Sequence, residues 1–189
     1  MQLEVLKLAF EQYTIVLEDD HNYSVNSADN TRSYSQHHQL TDGGYQFSSK
    51  HSVSLFRDNE PVNSCIVLAE GGASGIHPHS AAIHRECCFI AVGPMIGCLK
   101  LPTLDLVWKT KVDLATCFGI HHSVKHSCLI SHGECDIARL DYDGKIVWSH
   151  GGKDIFTEGF SISEDFVTAT DFNWERYRFD IGTGRGGIF

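Results

Sequence analysis

Apolar residues in this chain come in short runs rather than helical stripes. "LEVLKLAF", "QYTIVLED", "HSVSLF", "NSCIVLAE", "ECCFIAV", "LDLVWKTKV", "SCLISH", "KIVWSH" and "ERYRFDI" are rich in β-branched and aromatic residues, and glycine, asparagine, aspartate or proline separates most of them. Such residues suit a pleated, half-buried surface, and the separators suit chain reversal, so the pattern predicts strands almost throughout. No stretch carries an apolar stripe at helical spacing over three turns. Leu, Glu and Lys in the first nineteen residues permit a helix, but the β-branched "YTIV" turns the prediction to a hairpin. Residues 20–50 are the polar part of the chain, dense in Ser, Asn, Asp and Gly. That stretch predicts one or two irregular strands and a mobile loop around Asp42, Gly43 and Gly44.

Sliding the chain against itself reveals a repeat. "DIARLDYDGKIVW" at 136–148 aligns with "GCLKLPTLDLVW" at 97–108, with a turn one residue shorter in the earlier copy, and "ERYRFDIGTGR" at 175–185 is a third copy. Leu101, Leu140 and Phe179 serve as anchors of this alignment, and Gly75, Gly119 and Gly159 mark a second phase. A fainter fourth copy is read in "SLFRDNEPVNSCIVLAEGGASG" at 54–75. A unit of about 40 residues holding four short strands points to propeller blades or a similar stacked sheet repeat. The expectation is an all-β protein of three to four propeller-blade-like antiparallel repeats, as a small closed propeller or an open arc. Residues 1–53 form an N-terminal β segment packed on repeats at 54–75 (partial), 75–118, 119–158 and 159–189. Segment 3–10 is a candidate outer strand for the last repeat, which would remove an exposed edge.

The segment "RLDYDGKIVW" resembles the strand, turn and strand of pyrroloquinoline-quinone-like or WD40-like β-propeller repeats, and the chain is similar to small bacterial proteins with such repeats. The likeness runs over roughly 75–189 and implies a fold. Pro102 stands where other copies have aspartate, and the last copy ends "GRGGIF" without its tryptophan. Quinone-binding members need a larger ring of blades than this length allows, so the quinone is not carried over. In the motif Asp143 and Gly144 let the chain reverse, and Trp148 offers a large rigid surface between neighbouring sheets.

Charge and cysteine usage then narrow the class. With 15 basic and 24 acidic residues the net charge is −9, which opposes attraction to phosphate backbones and anionic lipid, so neither nucleic acid nor membrane is an expected partner. The N-terminus lacks the pattern of a signal peptide, and no apolar run approaches the roughly 20 residues of a membrane span. Seven cysteines, most within apolar strings, look like buried free thiols and suggest a reducing cytoplasm.

Two constellations carry candidate chemistry. Twelve histidines include His77, His79 and His84 in one repeat and His121, His122, His126 and His132 in the next, interleaved with Cys87, Cys88, Cys128 and Cys135. His77, His79, His121 and His122 are the candidate ligands for zinc or another transition metal, which would activate water for hydrolysis. The recurrence of "GIHPHS" and "GIHHS" also follows from duplication alone. The second constellation is Lys100, Arg139 and Arg178, each directly before an anchor of the alignment. If rotation relates the repeats, these cations line one rim and meet an anionic ligand or acidic partner. The plainer reading is that each stem packs along its sheet with the head near a carboxylate such as Asp141 or Asp180.

Other catalytic arrangements are weak. Ser131 and His132 are neighbours that point to opposite faces of a strand, Cys128 with His126 shares a face but reads as a buried thiol, and "GTGRGG" at 182–187 lacks the Walker lysine and serine. The sequence therefore favours a non-enzymatic interaction or self-assembly module without cofactor, with a protein partner or a second copy in a twofold dimer. The alternatives are a metal-dependent hydrolase and a propeller for a small anionic ligand.

Overall fold

The computed structural model describes residues 5–43 and 46–189. They form seventeen strands and, among the described residues, no helix, so none is long and apolar enough to cross a membrane. The first sheet contains β1 (Val5–Phe10), β2 (Tyr13–Asp19), β3 (Gln36–Gln39), β4 (Ser49–Arg57) and β5 (Glu60–Ala69) in the order β1-β2-β4-β5-β3. Three four-stranded antiparallel meanders follow. The second sheet is β6 (Ala81–His84), β7 (Cys87–Val92), β8 (Met95–Lys100) and β9 (Asp105–Lys111). The third is β10 (Cys117–Ser123), β11 (Cys128–Gly133), β12 (Asp136–Leu140) and β13 (Ile146–Gly151). The fourth is β14 (Gly159–Ile162), β15 (Phe166–Thr170), β16 (Arg176–Asp180) and β17 (Gly186–Ile188).

The hairpin expected near the N-terminus is β1–β2, and Asp58 and Asn59, both at positive φ, make the tight two-residue turn between β4 and β5. The division expected at 53/54 falls inside β4, which pairs with β2 on one side and β5 on the other. The fourth copy therefore starts at β1, and 20–48 is an insertion within its sheet. That insertion supplies one strand, β3, parallel to β5. Gly44 of the loop expected at 42–44 lies outside the described residues, while Asp42 makes an ion pair with Lys109 at 3.0 Å. Segment 3–10 does not complete the last sheet. Its described part, β1, pairs with β2, and the outer strand of the last sheet is β17.

Three cores join consecutive sheets, and among the described residues none joins the first to the last. Ile15, Val53, Leu55 and Val67 of the first sheet pack on Cys88, Ile90 and Leu99 of the second. Phe89, Ala91 and Cys98 meet Ile120, Leu129 and Leu140 of the third. Ile130, Ile137 and Trp148 meet Val167, Tyr177 and Phe179 of the fourth. Middle strands are thus covered on both faces, which explains why "CCFIAV" and "CLIS" read as continuous apolar runs.

Tryptophan and glycine lock each meander to the next. Trp108 on β9 donates its Nε1–H to the Tyr142 carbonyl at 3.0 Å, and Trp148 on β13 donates to the Ile181 carbonyl at 3.0 Å. Both acceptors sit in the turn between the third and fourth strands of the following sheet. The same turns hold Gly144 (φ 82°) and Gly184 (φ 71°), where a Cβ would stand 2.6 Å from the Trp108 ring and 2.7 Å from the Trp148 ring. Glycine is required there twice over, for the left-handed backbone and for the approach of the indole. The first sheet has no such tryptophan, and amide side chains of Gln36 and Asn63 donate to the Thr103 carbonyl of the second sheet instead, at 2.7 and 2.6 Å. With no indole overhead, the turn position equivalent to Gly144 is filled by Leu104, fully buried at φ 62°.

Register corrects the repeat alignment. Cys98 pairs with Trp108, Arg139 with Trp148 and Arg178 with Gly187. The structural anchors are therefore Leu99, Leu140 and Phe179, and Leu101 is displaced by two. The turn of the earlier copy, between Lys100 and Asp105, is one residue longer than that between Asp141 and Lys145, not shorter. Lys100, and not Pro102, occupies the aspartate position.

Gly144→Ala is expected to destabilise the fold by roughly 1–3 kcal/mol through strained φ and overpacking on Trp108. Gly159→Ala, whose added Cβ meets only Thr170 at 3.5 Å, should stay within about 0.5 kcal/mol. Urea denaturation midpoints of the two variants check the contrast.

Candidate functional site

The three candidate cations do different things. Arg139 faces the fourth sheet, where its guanidinium donates to the carbonyls of Ile181 at 3.1 Å and Gly182 at 2.6 Å, and to His126 at 3.3 Å. It satisfies the turn that Trp148 covers and is not open to a ligand. Lys100 is exposed at the end of β8 and is not the counterpart of Arg139, because the longer turn shifts register and puts Cys98 at that position. Arg178 is the true counterpart, but no further sheet of this chain lies beyond it. The expected common rim is not formed.

What remains is the outer face of the fourth sheet. Val167, Ala169, Tyr177 and Phe179 point back to the third sheet, so the alternate residues Ser161, Thr168, Thr170, Arg176 and Arg178 point away from it. Ser161 and Thr168 share a hydrogen bond at 2.5 Å. The Arg178 guanidinium lies over the Phe166 ring at 3.7 Å, and that of Arg176 over the Phe189 ring at 4.8 Å. Neither arginine has a carboxylate partner among the described residues, a state they share with exposed Arg57, Arg85 and Arg185. At the position of Trp148 stands Gly187, and a Cβ there would meet nothing within 4 Å. Exposed Phe172 and Trp174 sit in the turn beside Thr170 and Arg176.

The outer face of the first sheet is different. Ile66 and Leu68 of β5 are covered by Tyr23 and Phe47 of the insertion, with Val25 and Tyr34 against them. Tyr34 donates to Asp20 at 2.7 Å, and Lys50 donates to the Tyr23 carbonyl at 2.7 Å, fastening that cover.

The histidines divide into two groups, because successive residues of β10 point to opposite faces. His77, His79, His121 and His132 line one cavity of about 300 Å³ with Phe118 and Phe160. His122 turns the other way, against His84 and the Tyr142 hydroxyl at 2.6 Å. Of the four candidate ligands, His77, His79 and His121 come together, His122 does not, and His132 joins them. The rings pack on one another: His77 meets His79 edge-on, His79 and His121 are tilted with centroids 4.4 Å apart, and His132 stacks on Phe160 at 4.2 Å. Among the described residues no three histidine, cysteine or acidic groups are placed to hold a metal ion. Burial, then the neighbouring imidazoles, push His121 down to about 4. Burial leads the same shift to about 4 at His132, with His77 and His79 adding to it and the Phe156 backbone and Asp113 opposing it. His121 and His132 are therefore neutral and pack with Phe160 as an aromatic wall. Cys128 is fully buried, and burial raises its thiol despite the nearby Arg139, so it is no nucleophile.

One constellation is invisible in the sequence. Asp19 Oδ1 on β2 lies 2.5 Å from His51 Nδ1 on β4, and His51 Nε2 lies 2.9 Å from Ser74 Oγ. The order carboxylate, imidazole and hydroxyl is that of a nucleophile relay. Ser74 Oγ, however, also accepts the Gly93 N–H at 2.8 Å and bonds Ser49 Oγ at 3.2 Å. A hydroxyl has one donor and two acceptor sites, so this one is saturated, and the His51 side chain is wholly buried. The relay pins the first sheet to the turn between β7 and β8. Its members are spread over 19–93, and only their packing brings them together.

No family model matches the chain, and no curated protein matches it in sequence. Among solved structures the chain is similar to the computationally designed Ika8 protein, with a TM-score of 0.53 and 13% identity. The match covers 95% of this chain and 59% of that one, so the chain spans about three fifths of the designed protein's length. At this identity the likeness is one of fold alone.

Two acid-sensitive limbs follow. Unfolding restores His121 and His132 to the ordinary imidazole range near 6.5, so the unfolded chain binds more protons; stability is full above about pH 6.5 and falls as pH drops towards 4. His121→Phe should flatten that slope in pH-resolved urea melts. Burial pushes the Asp19 carboxyl up, but the His51 hydrogen bond and charge, with the Ile76 N–H and His21, hold it below the ordinary carboxylate value. Its contribution is present above about pH 4 and lost as pH falls further. Asp19→Asn is expected to cost roughly 3 kcal/mol at neutral pH and little in strong acid, measured the same way.

Proposed function

We propose that this chain is a non-enzymatic β-repeat module: four propeller-blade-like sheets in an open arc, presenting the outer face of the last sheet to a protein partner. One observation carries the reading. The positions by which the third sheet engages the fourth, Arg139 and Trp148, recur in the fourth sheet as Arg178 and Gly187 with no sheet of the chain against them. The outer face of a terminal sheet is expected to be polar, and this one adds to its hydroxyls two neighbouring arginines seated on aromatic rings. Phe172, Trp174 and Phe189 beside them are exposed by more than half, the aromatic and arginine mixture that interfaces favour.

Self-assembly through the same face is the weaker form of the reading, because a twofold contact would oppose Arg176 and Arg178 to their own copies. Metal-dependent hydrolysis loses support because no three potential ligands converge among the described residues, and a rim-bound anionic ligand from the separation of Lys100, Arg139 and Arg178.

Thr168→Asp tests whether the face is free. The expected result is a monomer by light scattering, with the melting temperature of the variant unchanged within about 2 °C. A dimer that the substitution dissociates, or a marked loss of stability, would show the face already buried by a second copy or by ring closure.

A further inference from the structure

The face has a chemistry that selects its partner. Arg176 and Arg178 are alternate residues of β16 and point to one side, about 7 Å apart along the strand. Each guanidinium lies over an aromatic ring, Phe189 at 4.8 Å or Phe166 at 3.7 Å, a contact that leaves the N–H donors available to a further partner. Next to them in register stand hydroxyls, Thr170 beside Arg176 and Thr168 beside Arg178. On the other side of Arg178 is Gly187, which has no side chain to shield it. Two planar forks with available donors, spaced as alternate strand residues and bordered by neutral hydroxyls, match two carboxylates at the same spacing.

We propose that this face binds an acidic protein segment in extended conformation, with carboxylates at alternate positions, one accepting from each of Arg176 and Arg178. Resting on the interaction-module reading, this names the class of partner. The net charge of −9 opposes every polyanion, and most of all a nucleic acid with a phosphate at each nucleotide; a protein segment can confine its charge to the two positions that meet the arginines and be neutral elsewhere.

The test uses the full chain and a fluorescein-labelled nine-residue peptide of alternating Glu and Thr, followed by fluorescence anisotropy. Its control is the same peptide with Gln for Glu. The expected result is saturable binding of the Glu peptide that weakens with salt, and at least a tenfold weaker affinity for the Gln peptide. Arg176→Gln and Arg178→Gln should each lower affinity roughly tenfold, since each removes one charge-assisted pair. Arg178→Lys should recover only part, because an ammonium lacks the planar fork. Lys100→Gln, an exposed cation elsewhere, should leave binding unchanged. Matching thermal melts of all variants keep the comparison free of folding defects. The proposal is overturned by equal binding of the two peptides, by binding that survives the double Gln substitution, or by tighter binding of a single-stranded oligonucleotide. Absence of binding to the Glu peptide overturns it too. In that last case the interaction-module reading stands or falls on the separate Thr168→Asp result, so the two failures are distinct.

Discussion

The structure depends on one contact made twice, an indole seated under a glycine turn of the next sheet. Each isolated four-stranded meander would expose an apolar face, and only a neighbour in the right register can cover it. Trp108 and Trp148 fix that register, because the ring occupies the space that Gly144 or Gly184 leaves and its N–H donates to a carbonyl of the same turn. Truncating a tryptophan so placed costs on the order of 3–5 kcal/mol, a large share of the stability of a domain this size. Arg139 strengthens the second of these contacts by donating to the same turn. The Asp19, His51 and Ser74 relay and the amides of Gln36 and Asn63 do equivalent work at the first junction, where no tryptophan is available.

This coupling gives the stack a direction. The second and third sheets offer a tryptophan forward, and the third and fourth a turn glycine backward. Where no indole approaches, the glycine position holds Leu104, and in the fourth sheet the tryptophan position holds Gly187. Both departures from the repeat fall where the indole contact is not made.

Strand identity and the phase of the repeat were legible in the sequence because both are local: β-branched runs, turn residues and the recurring tryptophan are read from neighbours in the chain. The alignment slipped where a turn changed length, since "LKL" offers two leucines as anchor and only the pairing of Cys98 with Trp108 selects Leu99. That slip made Lys100 look equivalent to Arg139 and Arg178. Grouping the histidines by sequence likewise failed, because His121 and His122 leave β10 on opposite faces and His132 arrives from β11. The insertion at 20–48 read as loose polar chain. Its ordering rests on Tyr23 and Phe47 finding Ile66 and Leu68, partners that no local pattern announces.

That cover over Ile66 and Leu68 also bears on what identical copies do to one another. A directional stack whose forward and backward faces are complementary has the makings of a fibre, since a heterologous contact that does not close on itself repeats without limit. Here the backward face is occupied by the chain's own insertion, with β3 hydrogen-bonded along the outer edge of β5. A copy approaching from that side meets the insertion and not the bare sheet.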